Sequence, residues 1–209
     1  DGLTWAGDSR GDALFSEGER LTAADVAVTY STVKAESSVN DFTMLESAEA
    51  IDEDTVLFHM KRPYSIWPYT MAIVGIIPEH AYGPGYGEAP IGSGRYRLAQ
   101  WDKGQQVILE VNPLYYGDAP LMQKVTIVFM GEDAALAAAQ AGQVDVAYTS
   151  ASFSDLALQG YNLAAYPSVD NRGLNLPAMA YDGEKGNDVT ADPAIRKAVN
   201  IGIDREAMI

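Results

Sequence analysis

The stretch Leu14-Phe-Ser-Glu-Gly-Glu-Arg-Leu-Thr-Ala-Ala-Asp-Val-Ala-Val-Thr-Tyr30 holds a turn and a helix start in seventeen consecutive residues. Ser16 to Glu19, with Gly18 inside it, has the composition of a tight turn. Thr22 followed three residues later by Asp25 is a helix start, a hydroxyl at the cap and a carboxylate in the first turn. Val26, Tyr30 and Val33 then share one helical face. Further along, Thr55 to Lys61 alternates Val56, Phe58 and Met60 with other residues, the period of a strand packed on one side. Asp52-Glu-Asp54 supplies the turn before it.

The pattern continues in mixed fashion. Ser65 to Val74 reads as a short helix interrupted near Pro68, leading into Ile76 to Tyr82. Glycine and proline punctuate Gly83 to Gly94, which reads as a connection. Arg95 to Trp101, a turn at Asp102-Lys-Gly104, and Gln106 to Asn112 with Val107, Leu109 and Val111 alternating form a hairpin signal. Lys124 to Met130 is a further strand, with Val125, Ile127 and Phe129 on one face. Glu132 to Ala141 is an alanine-rich helix ended by Gly142, and Val144 to Ala147 returns as a strand. A helix near Phe153 to Leu158, strands near Asn162 to Tyr166 and Arg172 to Leu176, and helices from Pro193 and Asp204 complete the reading. The class is α/β, mixed α+β.

Composition narrows the function. The 209 residues are 47% hydrophobic, 10% aromatic and 21% charged, which describes a packed domain and not a disordered tract. Lys and Arg total 14 against 29 Asp and Glu, a formal charge of -15, so the phosphate backbone of nucleic acid is an unsuitable partner. With no cysteine, disulfides, thiolate metal sites and a cysteine nucleophile are excluded. No signal peptide is visible, and the longest apolar run, around Met71 to Pro78, is too short to span a bilayer. The chain starts at Asp1 in what reads as mid-strand and stops at Ile209 inside an apparent helix, so the expectation is an internal piece of a longer protein.

No chemical motif points to catalysis. The glycines Gly83, Gly85, Gly87, Gly92 and Gly94 do not sit between a strand and a helix as phosphate-binding fingerprints require. His59 and His80, the two histidines, read as surface or packing residues. Asp182 to Asp188 has too little ordered ligand spacing for a calcium loop and reads as a polar turn. An Asp/Glu pair could serve a carbohydrate-active hydrolase domain, which is the alternative reading, but no spacing singles out two carboxylates. Neither a catalytic residue, a metal ligand nor a cofactor is assigned. Trp5 and Trp101 are expected in packing, while Trp67 and Tyr69 stand between packing and ligand contact.

Three segments together resemble a known family. Phe15, Ser16, Gly18, Leu21, Thr22, Ala23, Asp25 and Val26 match "F-S-D-G-x-P-L-T-A-x-D-V" of the extracellular solute-binding proteins, family 5, which serve oligopeptide, dipeptide and nickel ABC importers. Pro90-Ile-Gly-Ser-Gly-Arg-Tyr96 is similar to "P-I-G-T-G-P-Y", with Arg95 in place of proline. Downstream, Gln105 to Gly117 carries Tyr116 where the family has tryptophan, and Ala138 to Val146 resembles "L-x-x-G-E-V-D". Asp192 to Glu206 is similar to "D-x-R-V-R-x-A-L-x-x-A-I-D-R-E", with Ile195, Val199 and Ile203 as apolar anchors.

The resemblance implies a periplasmic-binding-protein-like type II lobe with an accessory domain, truncated. Residues 1–88 correspond to the accessory-domain-like segment, 89–170 to part of the first lobe, and 171–209 to the hinge and start of the second lobe. The implied function is not enzymatic: capture of a peptide or similar small solute outside the cytoplasmic membrane, in the periplasm or lipid-anchored at its outer face, and delivery to a membrane permease. Asp25, Gly92 and Gly94 are expected to serve the fold. Ligand contacts are expected from Phe42, Met44, Tyr69 and Met71 on the accessory side and from Asn171, Arg172 and Asn175 near the hinge. Nickel-type members use an arginine, and none lies between Arg62 and Arg95, so peptide is the wider default, with haem or oligosaccharide left open. With one wall of the cleft present the chain alone is expected to bind ligand weakly or not at all, and its truncated sheet is expected to self-associate.

Overall fold

The computed structural model describes residues 2–149, 160–166 and 174–204. The chain divides into two units, Asp1–Thr149 and Ser150–Ile209. In the first unit β1 (Thr4–Asp8), α1 (Ala23–Glu36), β2 (Leu45–Ala50), β3 (Thr55–Met60) and α2 (Trp67–Ala72) come first. β4 (Tyr96–Asp102), β5 (Gln106–Val111), β6 (Lys124–Val128) and α3 (Glu132–Gln140) follow. The strands form two antiparallel three-stranded sheets, ordered β1-β3-β2 and β4-β5-β6.

Period two explains the first sheet. Val56, Phe58 and Met60 of β3 are buried in register, and β3 is central, with Trp5 opposite Phe58 on one side and Ala48 on the other. α1 covers that face with Ala23, Ala27 and Tyr30. Trp67 of α2 closes the core from the side at 1% exposure. Its ring centroid lies 5.1 Å from Phe58, 5.5 Å from Tyr30 and 6.4 Å from Phe42, mostly edge to face, which aromatic quadrupoles favour. Burial pushes the Tyr30 phenol up to about 12, so it stays neutral and donates to the Met71 carbonyl at 3.0 Å.

The opening turn forms as its composition predicts. Phe15 N–H donates to the Glu19 carbonyl at 2.8 Å, and Gly18 adopts φ 106, a conformation that side-chain-bearing residues resist. Phe15, Ala13 and Leu21 form a second small core. Thr22 caps α1: its backbone N–H and its hydroxyl both donate to Asp25 Oδ2 at 2.8 Å. Asp25 is buried, and its other oxygen accepts from the Glu79 N–H at 2.8 Å, tying the segment after α2 to the start of α1. Thr29, one turn on, does the same through the Ile77 N–H at 3.0 Å. Asp25 thus serves the fold.

The hairpin of the second sheet turns at Asp102 to Gln105 with Gly104 at φ 76, and carries a bulge between Leu98 and Gln100. The buried Asn112 orders the approach: its Nδ2 donates to the Gly94 carbonyl at 2.8 Å, and its Oδ1 accepts from Leu114 N–H at 3.0 Å. Gly92 accepts from Ser16 N–H at 2.9 Å. Gly92 and Gly94 therefore lend their carbonyls to joints of the chain. A Cβ at Gly117 would fall 2.6 Å from the Tyr115 ring, so that ring would have to turn aside.

Several expectations are corrected. Val144 to Ala147 forms no strand: Val146 is 86% exposed, and an alternating pattern makes a strand only where a neighbour completes the hydrogen-bond ladder. Residues 162–166 and 174–176 are likewise without strand. Trp101 is exposed on β4, with Lys103 Nζ 5.9 Å from its ring centroid, whereas Trp5 is half-buried against the core as expected. The expected helix near Phe153 to Leu158, the residues Arg172 and Gly173 of the next strand, and the helix after Asp204 lie outside the described residues. In the second unit α4 (Pro193–Gly202) begins where expected, with Asp192 Oδ1 accepting from Ala194 N–H at 2.7 Å. Ile195, Val199 and Ile203 share its half-buried face.

Candidate ligand-facing segment

The four candidates of the first unit separate by burial. Phe42 is a core residue of the aromatic cluster. Its neighbours Asp41 and Thr43, with Lys34 and Lys61, rim an open hollow of about 470 Å³. Met44 packs half-buried against the core, with Arg62 Nε 3.1 Å from its sulfur. Met71 is half-buried too, its carbonyl held by Tyr30. Tyr69 differs from these three, with 78% of its surface exposed. In the second unit Asn175 is exposed, and Asn171 and Arg172 lie outside the described residues.

Tyr69 has company that the sequence reading missed. Ile66 is 53% exposed and Ile73 66%, and the spacing 66, 69, 73 places all three on one side of α2, opposite Trp67. The signal was present: Pro63 to Pro78 contains no charged residue in a chain of formal charge -15. It was obscured because exposed and buried apolar residues look alike until one side of the helix is anchored.

Several charged groups elsewhere hold the chain. Asp52 Oδ1 accepts from Asp54 and Thr55 N–H groups, and Asp182 Oδ1 from Glu184 and Lys185 N–H groups; these bonds hold both carboxyls below the usual carboxylate range. Residues 182–185 are therefore a closed polar turn. His80 Nε2 lies 2.6 Å from Glu17 Oε1 at the surface, and His59 is half-buried in β3. Arg20 bridges Glu53 and Asp54. Among the described residues no helix is long and apolar enough to cross a membrane.

The family model described as bacterial extracellular solute-binding proteins, family 5 Middle, matches residues 1–209, and the chain belongs to this family. Protein XP55 of Streptomyces lividans is 33% identical over 100% of this chain and 39% of its own length. The oligopeptide-binding protein AppA of Bacillus subtilis is 28% identical over 93% of this chain and 38% of its own length. The crystal structure of that AppA with a nonapeptide superposes with TM-score 0.59 at 30% identity, over 68% of this chain and 32% of AppA. NikZ of Campylobacter jejuni, solved with Ni(L-His), superposes with TM-score 0.78 at 22% identity, over 100% of this chain and 43% of NikZ, a likeness of fold alone. The architecture is that of periplasmic-binding-protein type II folds, and the chain spans less than half the length of these relatives.

Proposed function

We propose that this chain supplies part of the capture component of an ABC importer, which takes up a peptide or similar small solute outside the cytoplasmic membrane and delivers it to a permease. The observation that carries this reading is the family match across residues 1–209, with relatives whose names specify oligopeptide, D,D-dipeptide and glutathione binding. The protein acts by closure around the solute, the closed state having the higher affinity, and performs no turnover. It works in the periplasm or lipid-anchored at the outer face of the membrane. Residues 1–88 form the accessory-domain-like segment, 89–170 part of the first lobe, and 171–209 the hinge and start of the second. Phe42, Met44, Tyr69, Met71, Asn171, Arg172 and Asn175 are its proposed ligand-contact positions, with Tyr69 the most accessible of the described candidates in the first unit.

Native mass spectrometry of the full-length protein, purified without refolding, tests this. A co-purified peptide mass that disappears on unfolding is the expected result. A protein recovered empty, and still empty after incubation with a mixture of peptides, overturns the peptide assignment.

The isolated chain is also proposed to self-associate, through β6. β2 and β4 are edge strands interrupted by bulges, and they carry Glu46, Glu49, Arg97 and Asp102; β1, also an edge, pairs in unbroken register but exposes Thr4, Ala6 and Asp8 and no large apolar side chain. β6 pairs with β5 in unbroken register and exposes Ile127 and Val128, the kind of edge that invites another strand. Light scattering on a gel-filtration column should show dimers that Ile127→Lys reduces to monomer. A wild-type chain that stays monomeric over a wide concentration range rules this out.

A further inference from the structure

We propose that Arg10, Tyr116, Tyr115 and Arg95 form a strap across the joint between the two sheets, two rings held between two guanidinium groups, which must come apart before the joint can open. The strap is a conformational fastening within the first unit, and it holds whatever the captured solute is.

Each end of the column is anchored on its own sheet. On the first, Ser9 N–H donates to the Asp54 carbonyl at 2.7 Å beside β3, and Arg10 is fixed by a fork of two bonds to Asp12, at 2.9 Å from Nε and 3.0 Å from a terminal nitrogen. Its guanidinium carbon then lies 4.1 Å from the centre of the Tyr116 ring. On the second, the buried Asn112 follows β5 and binds both the Gly94 carbonyl and the Leu114 N–H, while its own carbonyl accepts from Tyr115 N–H at 3.2 Å. The turn that carries both tyrosines is therefore set by a core residue. The two rings lie 4.6 Å apart, and Gly117 leaves the Tyr115 ring its place, since a Cβ there would fall 2.6 Å from it. Arg95 completes the column, 5.5 Å from the Tyr115 ring centre, with its Nε donating to the Tyr115 hydroxyl at 3.4 Å. That bond first, and the charges of Arg95 and Arg10 as well, hold the Tyr115 phenol below its ordinary range, so this ring feels a cation from each sheet.

Beside the column, Ser16 N–H donates to the Gly92 carbonyl at 2.9 Å, and Ile91 packs on the small core of Ala13, Phe15 and Leu21. Ser16 and Arg10 both belong to the connection between β1 and α1. Lifting that connection from the second sheet therefore breaks the stack and the Ser16 bond together. A guanidinium on an aromatic face contributes most when its geometry is set in advance, and Asp12 supplies that here. The competing reading is that the stack ornaments an exposed surface, where charged side chains often contribute nothing measurable.

Hydrogen exchange of the full-length protein, resolved at the Ser16 amide, separates the two. Arg10→Ala and Tyr116→Ala should each speed Ser16 exchange by about fivefold. The double variant should be no faster than either single one, because the same contact is lost in all three. Tyr116→Phe keeps the ring and should exchange at the wild-type rate, and amides of β3 should keep their rates throughout. A wild-type Ser16 rate in the double variant overturns the proposal. So do effects that add in the double variant, Tyr116→Phe exchanging as fast as Tyr116→Ala, or an equal acceleration across β3, which marks a general loss of stability.

Discussion

Trp67→Ala is expected to destabilise the first unit by about 3–5 kcal/mol, enough to leave a marginal domain largely unfolded. Trp67 touches Tyr30, Phe42 and Phe58, each from a different element, so its removal leaves a cavity that α1, the loop before β2 and β3 would all have to collapse into. Aromatic cores relax poorly, because edge-to-face geometry sets each ring by its neighbours. Trp67→Phe keeps a ring against all three and should cost a fraction as much. Its indole N–H has no protein acceptor, so that substitution breaks no hydrogen bond. Urea unfolding followed by circular dichroism would read both. An alanine variant within about 1 kcal/mol of wild type would show that the cluster does not hold the unit together.

Asp25→Ala is expected to cost about 3 kcal/mol, an unusual figure for a residue in the first turn of a helix. An ordinary capping carboxylate faces water and loses one or two weak bonds when removed. Asp25 is buried and accepts from Thr22 N–H, Thr22 hydroxyl and Glu79 N–H, so three donors would be left without their acceptor. The damage should reach beyond α1. Hydrogen exchange at Glu79, more than fifty residues away in sequence, should accelerate in Asp25→Ala, whereas amides of β5 should keep their rates. Asp25→Asn should recover only part of the loss, because its amide nitrogen must face one of the donors. If Glu79 exchanges at the wild-type rate, the tether assigned to Asp25 is wrong.

The two cases show why some features were legible from residues alone. Thr22 and Asp25 act through bonds three residues apart, and Val56, Phe58 and Met60 through a strand's two-residue period, so local spacing suffices to read them. Peptide alternation also located the β4-β5 hairpin and its glycine turn. The strand read at Val144 to Ala147 has the same apolar spacing yet forms no ladder, since pairing depends on a neighbour that local pattern does not reveal. Trp101 likewise fits a strand and points outward.

The candidate site was legible only in part. Phe42, Met44, Tyr69 and Met71 were singled out only by position, on the accessory side that the family resemblance implies. Ile66 and Ile73 were not, and Trp67 was left between two roles. The sequence by itself determined the acidic, cysteine-free composition, the capped start of α1, the periods of the principal strands and the family to which the chain belongs. Only the tertiary structure decided which aromatic residues are core and which are free, because a side chain's exposure follows from what packs against the opposite side of its helix. Once Trp67 and Tyr30 fix the inner side of α2, Tyr69 has nowhere to point but outward.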